Sequence, residues 1–188
     1  MRLMDNEEYV KFIKIKQKEE CFADPDRIKI VAQSDKNFEK VLPYLATQFP
    51  NAIYSQEAGF ISYKEKRRMI SIFATGKIGI TYLKDEEEAR QTLEKIRKKI
   101  NWVYKNKDKI DISGIDKRKP LNALQIYRYL PALNCGRCGF PTCMSFAFKL
   151  LSVEVTVDKC LPLFEDSKYH KKKEDLLKLL RSAGFLKG

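Results

Sequence analysis

The chain has 188 residues, enough for one or two small domains, and 44% of them are hydrophobic, enough for a packed core. Its 37 Lys and Arg outweigh 25 Asp and Glu, and the formal net charge of +12 suits nucleic acid, an acidic protein partner or an anionic surface. No apolar run approaches the roughly 18 residues of a membrane span, the first residues are polar and acidic rather than secretory, and the thiols point to reducing cytoplasm.

Residues 5–20 read as a helix. Asp5 and Glu8 give a capping-box-like start, and Tyr9, Phe12 and Ile13 follow at helical spacing. Residues 27–33 alternate like a strand. Asp35 reads as the cap of a helix running to about Gln48, with Phe38, Val41, Leu42 and Leu45 as its apolar stripe. Pro43 inside that stripe should kink or restart it. Short strands are expected at 52–55, 59–63, 69–74 and 77–82, the last two joined by a hairpin at Thr75-Gly76. Asp85 to Glu88 opens a long helix to about Tyr104, with Ala89, Leu93, Ile96 and Ile100 on one face. Acidic residues at its start and Lys95, Arg97, Lys98 and Lys99 toward its end agree with the helix dipole. Residues 106–120 read as a charged linker, with a short strand at 110–113. A Lys-rich helix over about 167–183 ends the chain, carrying Leu176, Leu177, Leu179 and Leu180.

Between linker and last helix stand Cys135, Cys138, Cys143 and Cys160, spaced C-x2-C-x4-C-x16-C. A [4Fe–4S] cube takes one thiolate per iron, and one short segment supplying all four is the usual arrangement. Gly136 and Gly139 let the backbone bend tightly around Cys138. Pro141 is placed as the first residue of a helix whose positive end would face an anionic cluster. Arg137 adds a nearby positive charge. Phe140, Met144, Phe146, Phe148, Leu150 and Leu151 offer apolar cover. Zinc is the rival, since four thiolates also close a zinc site; such sites usually come as two short-spaced pairs, and this segment has one. A disulfide framework is disfavoured by the odd count of five cysteines. Cys21, the fifth, reads as a buried thiol. With cysteine at every corner no iron is open to substrate, which favours electron transfer or support over catalysis. His170, the one histidine, reads as exposed helix surface, and no catalytic constellation is visible.

The stretch from Leu121 to Leu150, with Leu-Asn-Cys135-Gly-Arg-Cys138-Gly-Phe-Pro-Thr-Cys143 at its centre, closely resembles the cluster domain of the corrinoid iron–sulfur protein large subunit. That subunit belongs to the carbon monoxide dehydrogenase/acetyl-CoA synthase system, and the same module recurs in the B subunit of Rnf electron-transport complexes. The resemblance implies one [4Fe–4S] cluster on Cys135, Cys138, Cys143 and Cys160 that passes electrons. It covers about residues 121–165 and departs in one place: Leu161 stands where the family often has proline, with Pro162 one later. The cobalamin-binding part of that family is absent, so methyl transfer does not carry over.

A second resemblance lies upstream. Asn51–Tyr54, Ile70–Thr81 and Asp85–Ile100, with Ile72-Phe-Ala-Thr-Gly-Lys77 the most specific part, resemble one repeat of the TATA-binding protein. In that family two repeats form a saddle whose concave face carries wedge phenylalanines into the DNA minor groove. Phe73 matches one wedge; Gly59 occupies the position of the other, and Phe60 follows it. The loop between these strands is shorter and lacks the family's proline–lysine. Packing of Phe73 and Phe60 against a neighbour, such as the N-terminal helix or the cluster domain, is favoured over insertion into DNA.

The expected architecture is α+β. A helical segment (1–25) leads into a single TATA-binding-protein-like repeat (26–105), an antiparallel curved sheet with helices. A linker (106–120), a small, mostly helical [4Fe–4S] domain (121–165) and a Lys-rich helix (166–188) follow. The expected function is electron transfer or redox assistance to an acidic partner enzyme in anaerobic one-carbon or corrinoid-type metabolism. The alternative is a nucleic-acid-binding protein with a structural or sensing cluster, supported by the +6 charge of residues 26–105.

Overall fold

The computed structural model describes residues 8–22, 24–115 and 118–186. These fall into two compact units, one drawn from residues 8–47, 54–62 and 68–115, the other from 48–53, 63–67 and 118–186.

The sheet has six strands: β1 (Ile13–Cys21), β2 (Asp24–Ser34), β3 (Ile53–Ser55), β4 (Phe60–Glu65), β5 (Arg68–Phe73) and β6 (Lys77–Leu83). Their spatial order is β1-β2-β6-β5-β4-β3, with β1–β2, β2–β6 and β5–β6 antiparallel. Period-2 alternation sends Ile30 and Ala32, Ile70 and Ile72, and Ile78 and Ile80 to one face, all of them buried. On the same side lies α2 (Glu86–Asn106), burying Ala89, Leu93, Ile96, Ile100 and Val103. Each fully buried isoleucine or leucine contributes about 1.5–3 kcal/mol. Asp85 caps α2 by accepting the Glu88 N–H at 2.8 Å.

The N-terminal helix is not formed. Asp5 lies outside the described residues, and from Ile13 the chain is strand, alternating Ile13-Lys14-Ile15-Lys16 at the sheet edge. The residues before it are held extended. Buried Asn101 accepts the Val10 N–H at 2.8 Å and donates to the Val10 carbonyl at 3.0 Å, and Tyr9 stacks on Tyr104 at 4.1 Å. Tertiary bonds to the backbone override a helical spacing here. Asp35 is likewise not a helix cap; its carboxylate accepts the N–H groups of Lys11 and Phe12. The stripe Phe38, Val41, Leu42 and Leu45 is buried as expected, but only α1 (Leu42–Ala46) is helical. Pro43 sits in its first turn, where a missing N–H costs nothing.

The β5–β6 turn requires glycine. Gly76 has φ +85°, and a Cβ there would lie 2.4 Å from the Lys36 carbonyl oxygen. The linker holds a 3-10 turn at Lys107–Lys109, and residues 110–113 do not form a strand.

The second unit contains α3 (Ala123–Tyr127), α4 (Cys143–Leu151), α5 (Leu161–Glu165) and α6 (His170–Ser182) around a core that includes Ile126, Leu130, Phe146, Leu163, Leu176 and Leu180. Cys143 and Cys160 belong to that core. Asn51, at φ 54°, pairs both ends of its side chain with the Leu121 backbone, at 2.6 and 3.1 Å.

Candidate iron–sulfur site

After α3 the backbone enters a tight loop with four residues in the left-handed region: Ala132 (φ 60°), Asn134 (φ 48°), Gly136 (φ 69°) and Gly139 (φ 84°). Gly139 N–H donates to the Gly136 carbonyl at 2.9 Å, closing a turn that carries Arg137 and Cys138. A Cβ at either glycine would meet nothing within 4 Å, so the sign of φ rather than crowding selects glycine. Asn134 Oδ1 accepts the Cys143 N–H at 2.8 Å, tying the start of the loop to its end.

Helix α4 starts at Cys143, two residues later than Pro141 would place it, with Thr142 as cap. Thr142 Oγ1 accepts the Ser145 N–H at 3.0 Å, and Ser145 Oγ accepts the Thr142 N–H at 3.2 Å. The helix end thus spends its Cys143 and Ser145 N–H groups on side chains, which tempers the dipole expected from sequence.

Cys160 follows a 3-10 turn (Val157–Lys159), and its carbonyl accepts the Leu163 N–H at 2.9 Å at the start of α5. Pro162 occupies the first turn of α5. Lys172 on α6 donates to the Leu130 carbonyl at 3.1 Å, fixing the entrance to the cysteine loop.

All four sequence-predicted cysteines line one cavity, together with Pro131, Leu133, Phe140, Phe146 and Pro162. They differ in depth. Cys143 is 8% and Cys160 5% exposed, Cys138 is intermediate, and Cys135 is exposed. Among the described residues, no three His, Cys, Asp or Glu side chains are gathered tightly enough to grip a single ion. Burial pushes the Cys160 thiol up to about 11; a Leu163 backbone N–H pulls it down, and the Cys143, Cys138 and Cys135 sulfurs push it further up. The thiol is protonated at neutral pH until a metal displaces the proton. The donor set fits an iron–sulfur group: four sulfurs, apolar walls and a partly exposed mouth.

Of the six residues expected to keep water away, Phe140 and Phe146 do line the cavity, their ring centroids 6.0 Å apart. Phe148 does not; it is 59% exposed. Sequence reasoning missed Asn134 and Glu165. Arg137 donates to Glu165 on α5 at 2.6 Å, a partner that spacing along the chain could not reveal. Cys21 is a buried thiol in the other unit, and His170 is exposed at the start of α6.

On the sheet, Phe73 and Phe60 lie on the face away from α2, half-buried, with ring centroids 6.0 Å apart. They pack on each other. Met69, Ser71, Gly79 and Thr81 share this face and line a shallow groove with Phe73. Gly59, at the second wedge position, has φ +61° and a virtual Cβ 3.3 Å from Ala74 Cβ, which explains why no phenylalanine stands there.

Comparison with known proteins agrees with both halves. Residues 130–162, containing all four cysteines, match the family described as "Putative Fe-S cluster". Residues 27–103 match the family "Transcription factor TFIID (or TATA-binding protein, TBP)". The acetyl-CoA decarbonylase/synthase complex subunit gamma of Methanocaldococcus jannaschii is 44% identical over 62 residues, 33% of this chain and 12% of that protein. The subunit gamma of Archaeoglobus fulgidus is 49% identical over 65 residues, 32% of this chain and 14% of the relative. The corrinoid/iron-sulfur protein large subunit of Moorella thermoacetica is 51% identical over 41 residues, 22% of this chain and 9% of the relative. The chain thus spans only a small part of the curated relatives it matches, and no solved structure matches it. One polypeptide therefore carries a TATA-binding-protein-like α+β segment followed by an iron–sulfur segment.

Proposed function

We propose that Cys135, Cys138, Cys143 and Cys160 hold one [4Fe–4S] cluster and that the protein is an electron carrier or redox accessory acting on a partner enzyme in anaerobic, corrinoid-type one-carbon metabolism. The observation that carries this is the convergence of the four thiols on one cavity, within residues 130–162 that match the iron–sulfur family; the likeness to the corrinoid/iron-sulfur large subunit and the decarbonylase/synthase gamma subunits supports the pathway. A bound cluster supplies a one-electron couple. The chain supplies the rest: Asn134 and the Gly136–Gly139 turn set the loop, Phe140 and Phe146 exclude water, and the fold buries two sulfurs while leaving one near solvent. The basic surface favours an acidic partner.

The test is anaerobic preparation followed by iron and sulfide analysis and a redox titration followed by electron paramagnetic resonance. Near-equal iron and acid-labile sulfide with a reversible low-potential signal support the reading. Zinc in the site, or a cluster silent to strong reductant, removes it.

A second reading is nucleic-acid binding through the open sheet face, favoured by Phe73 and Phe60 lying there together on a TATA-binding-protein-like sheet. It requires salt-sensitive binding of duplex DNA that weakens in Phe73→Ala.

A further inference from the structure

Helix α2 presents the one tryptophan of the chain to water. Trp102 is 48% exposed, although burying an indole is among the larger apolar gains a fold can make. The core does not use it: the stripe of α2 that packs inward is Ala89, Leu93, Ile96, Ile100 and Val103. Positions three, four and seven apart share a helix face, so the neighbours of Trp102 are Lys95, Lys98, Lys99, Lys105 and Asn106. Lys95, Lys98 and Lys105 are exposed. The Lys99 ammonium stands 5.7 Å from the centre of the tryptophan ring, and Asn106 Nδ2 donates to the Trp102 carbonyl at 2.8 Å.

This end of α2 is positive with every acid counted. From Glu94 to Asp111 the chain has seven cations and three acids, Glu94, Asp108 and Asp111. Glu94 is held by Arg97 at 2.8 Å and lies 3.8 Å from Lys98, and Asp111 accepts from Ser113. Glu8, from the extended segment beside α2, is engaged by Arg97. The acids of the first turn lie about 21 Å or more up the helix axis, Glu86 held by Lys18 and Arg90, Glu87 by Gln91 and Glu88 by Arg68. Among the described residues, Lys95, Lys99 and Lys105 have no acidic partner. The helix dipole accounts for lysines at this end, but not for a tryptophan set in water among them.

We propose that this face of α2 binds single-stranded nucleic acid, one base stacking on Trp102 and phosphates meeting Lys95, Lys99 and Lys105. An exposed flat ring between unpaired cations is a stacking platform beside a charged track. Lys99 has a flexible stem and can leave the ring for a phosphate when a base arrives. A duplex hides its base faces, so a single strand alone offers what the ring takes. A protein partner would need several apolar side chains at its centre, and this face of α2 offers Trp102 alone. The site is on the other side of the sheet from Phe73 and Phe60, so it is separate from the duplex reading, and it does not involve the cysteines.

The test titrates the anaerobically prepared full chain with a short oligothymidylate. Trp102 is the sole tryptophan, so quenching of its fluorescence reports stacking at this ring and nowhere else. Saturable quenching is expected, with affinity falling roughly twentyfold between about 50 and 200 mM salt, as three phosphate contacts on a single strand require. Inorganic polyphosphate and polyglutamate bring charge without bases and should leave the fluorescence nearly unchanged. With a fluorescein-labelled strand read by anisotropy, Trp102→Ala should weaken binding about tenfold or more, and Trp102→Phe should restore most of it. Lys95→Gln and Lys105→Gln should each weaken binding severalfold and flatten its salt dependence. Quenching by polyglutamate equal to that by the strand would make the face a dock for an acidic protein and overturn the proposal. So would a duplex bound as tightly as the strand, Trp102→Ala binding like the parent, or a loss in Phe73→Ala that Trp102→Ala does not match. None of these readings depends on the cluster, so iron and sulfide analysis decides the redox role separately.

Discussion

Arg137, between Cys135 and Cys138, donates to Glu165, five residues beyond Cys160, at 2.6 Å. The first and last parts of the cysteine motif are thereby joined through a pair that is itself about half exposed. Because water reaches it, its value to stability is small, about 0.2–1 kcal/mol.

Its electrostatic effect is larger in consequence. Arg137→Ala should lower the midpoint potential of the cluster, because a nearby cation favours the more negative reduced state. Glu165→Gln should raise it, leaving that cation uncompensated. Each shift should be roughly 10–40 mV, the one-electron equivalent of an exposed charge interaction. Redox titration reads the opposite signs, and equal signs would show that the pair acts only by shape.

Replacement of the cysteines should separate ligation from packing. Cys135→Ser and Cys160→Ser should both lose cluster, seen as iron and sulfide falling well below the parent. Only Cys160→Ser should also weaken the apoprotein, because the hydroxyl could accept the Leu163 N–H but would bury its own O–H without an acceptor, at about 1–3 kcal/mol. Thermal melts of the two apoproteins check this; equal melting points would place Cys160 nearer the surface than the structure does.

Gly76→Ala should destabilise the sheet unit by about 2 kcal/mol or more, from a left-handed φ and a clash with the Lys36 carbonyl that no side-chain rotation relieves. Gly79→Ala, on β6 with open space above it, should change stability by no more than about 1 kcal/mol. Trp102, the one tryptophan, lies on α2 and reports unfolding of this unit by fluorescence.

Asn101→Leu should orphan the buried Val10 N–H, leave the Val10 carbonyl to Arg97 alone, and cost about 1–3 kcal/mol. Hydrogen exchange at Val10 should accelerate while that at Ile78 and Ile80 stays protected. Unchanged exchange at Val10 would show that Arg97, which also donates to the Val10 carbonyl at 3.2 Å, holds the segment without help.

The cysteine loop and the sheet from β2 to β6 were legible in the sequence because their signals are local. Ligand spacing, glycine placement and period-2 alternation sit within a few residues of one another. The N-terminal strand was not legible, because what decides it is remote: Asn101 and Tyr104 seize the backbone and ring of residues about ninety positions away. The segment after Asp35 failed for the same reason, its carboxylate being claimed by Lys11 and Phe12. At the site, the cysteines could be read but their unequal depths could not, since depth is set by which helices cover them. Phe148 shows the limit: its apolar character was plain, while its outward direction was a matter of helix phase.

The unequal depths carry a consequence for how this protein ages in air. Oxygen and peroxide meet the outer sulfur first, while Cys143 and Cys160 are sealed among Phe146 and Leu163. A cluster held there would meet oxidants first at its Cys135 corner, and the packed core around Cys143 and Cys160 would outlast that attack.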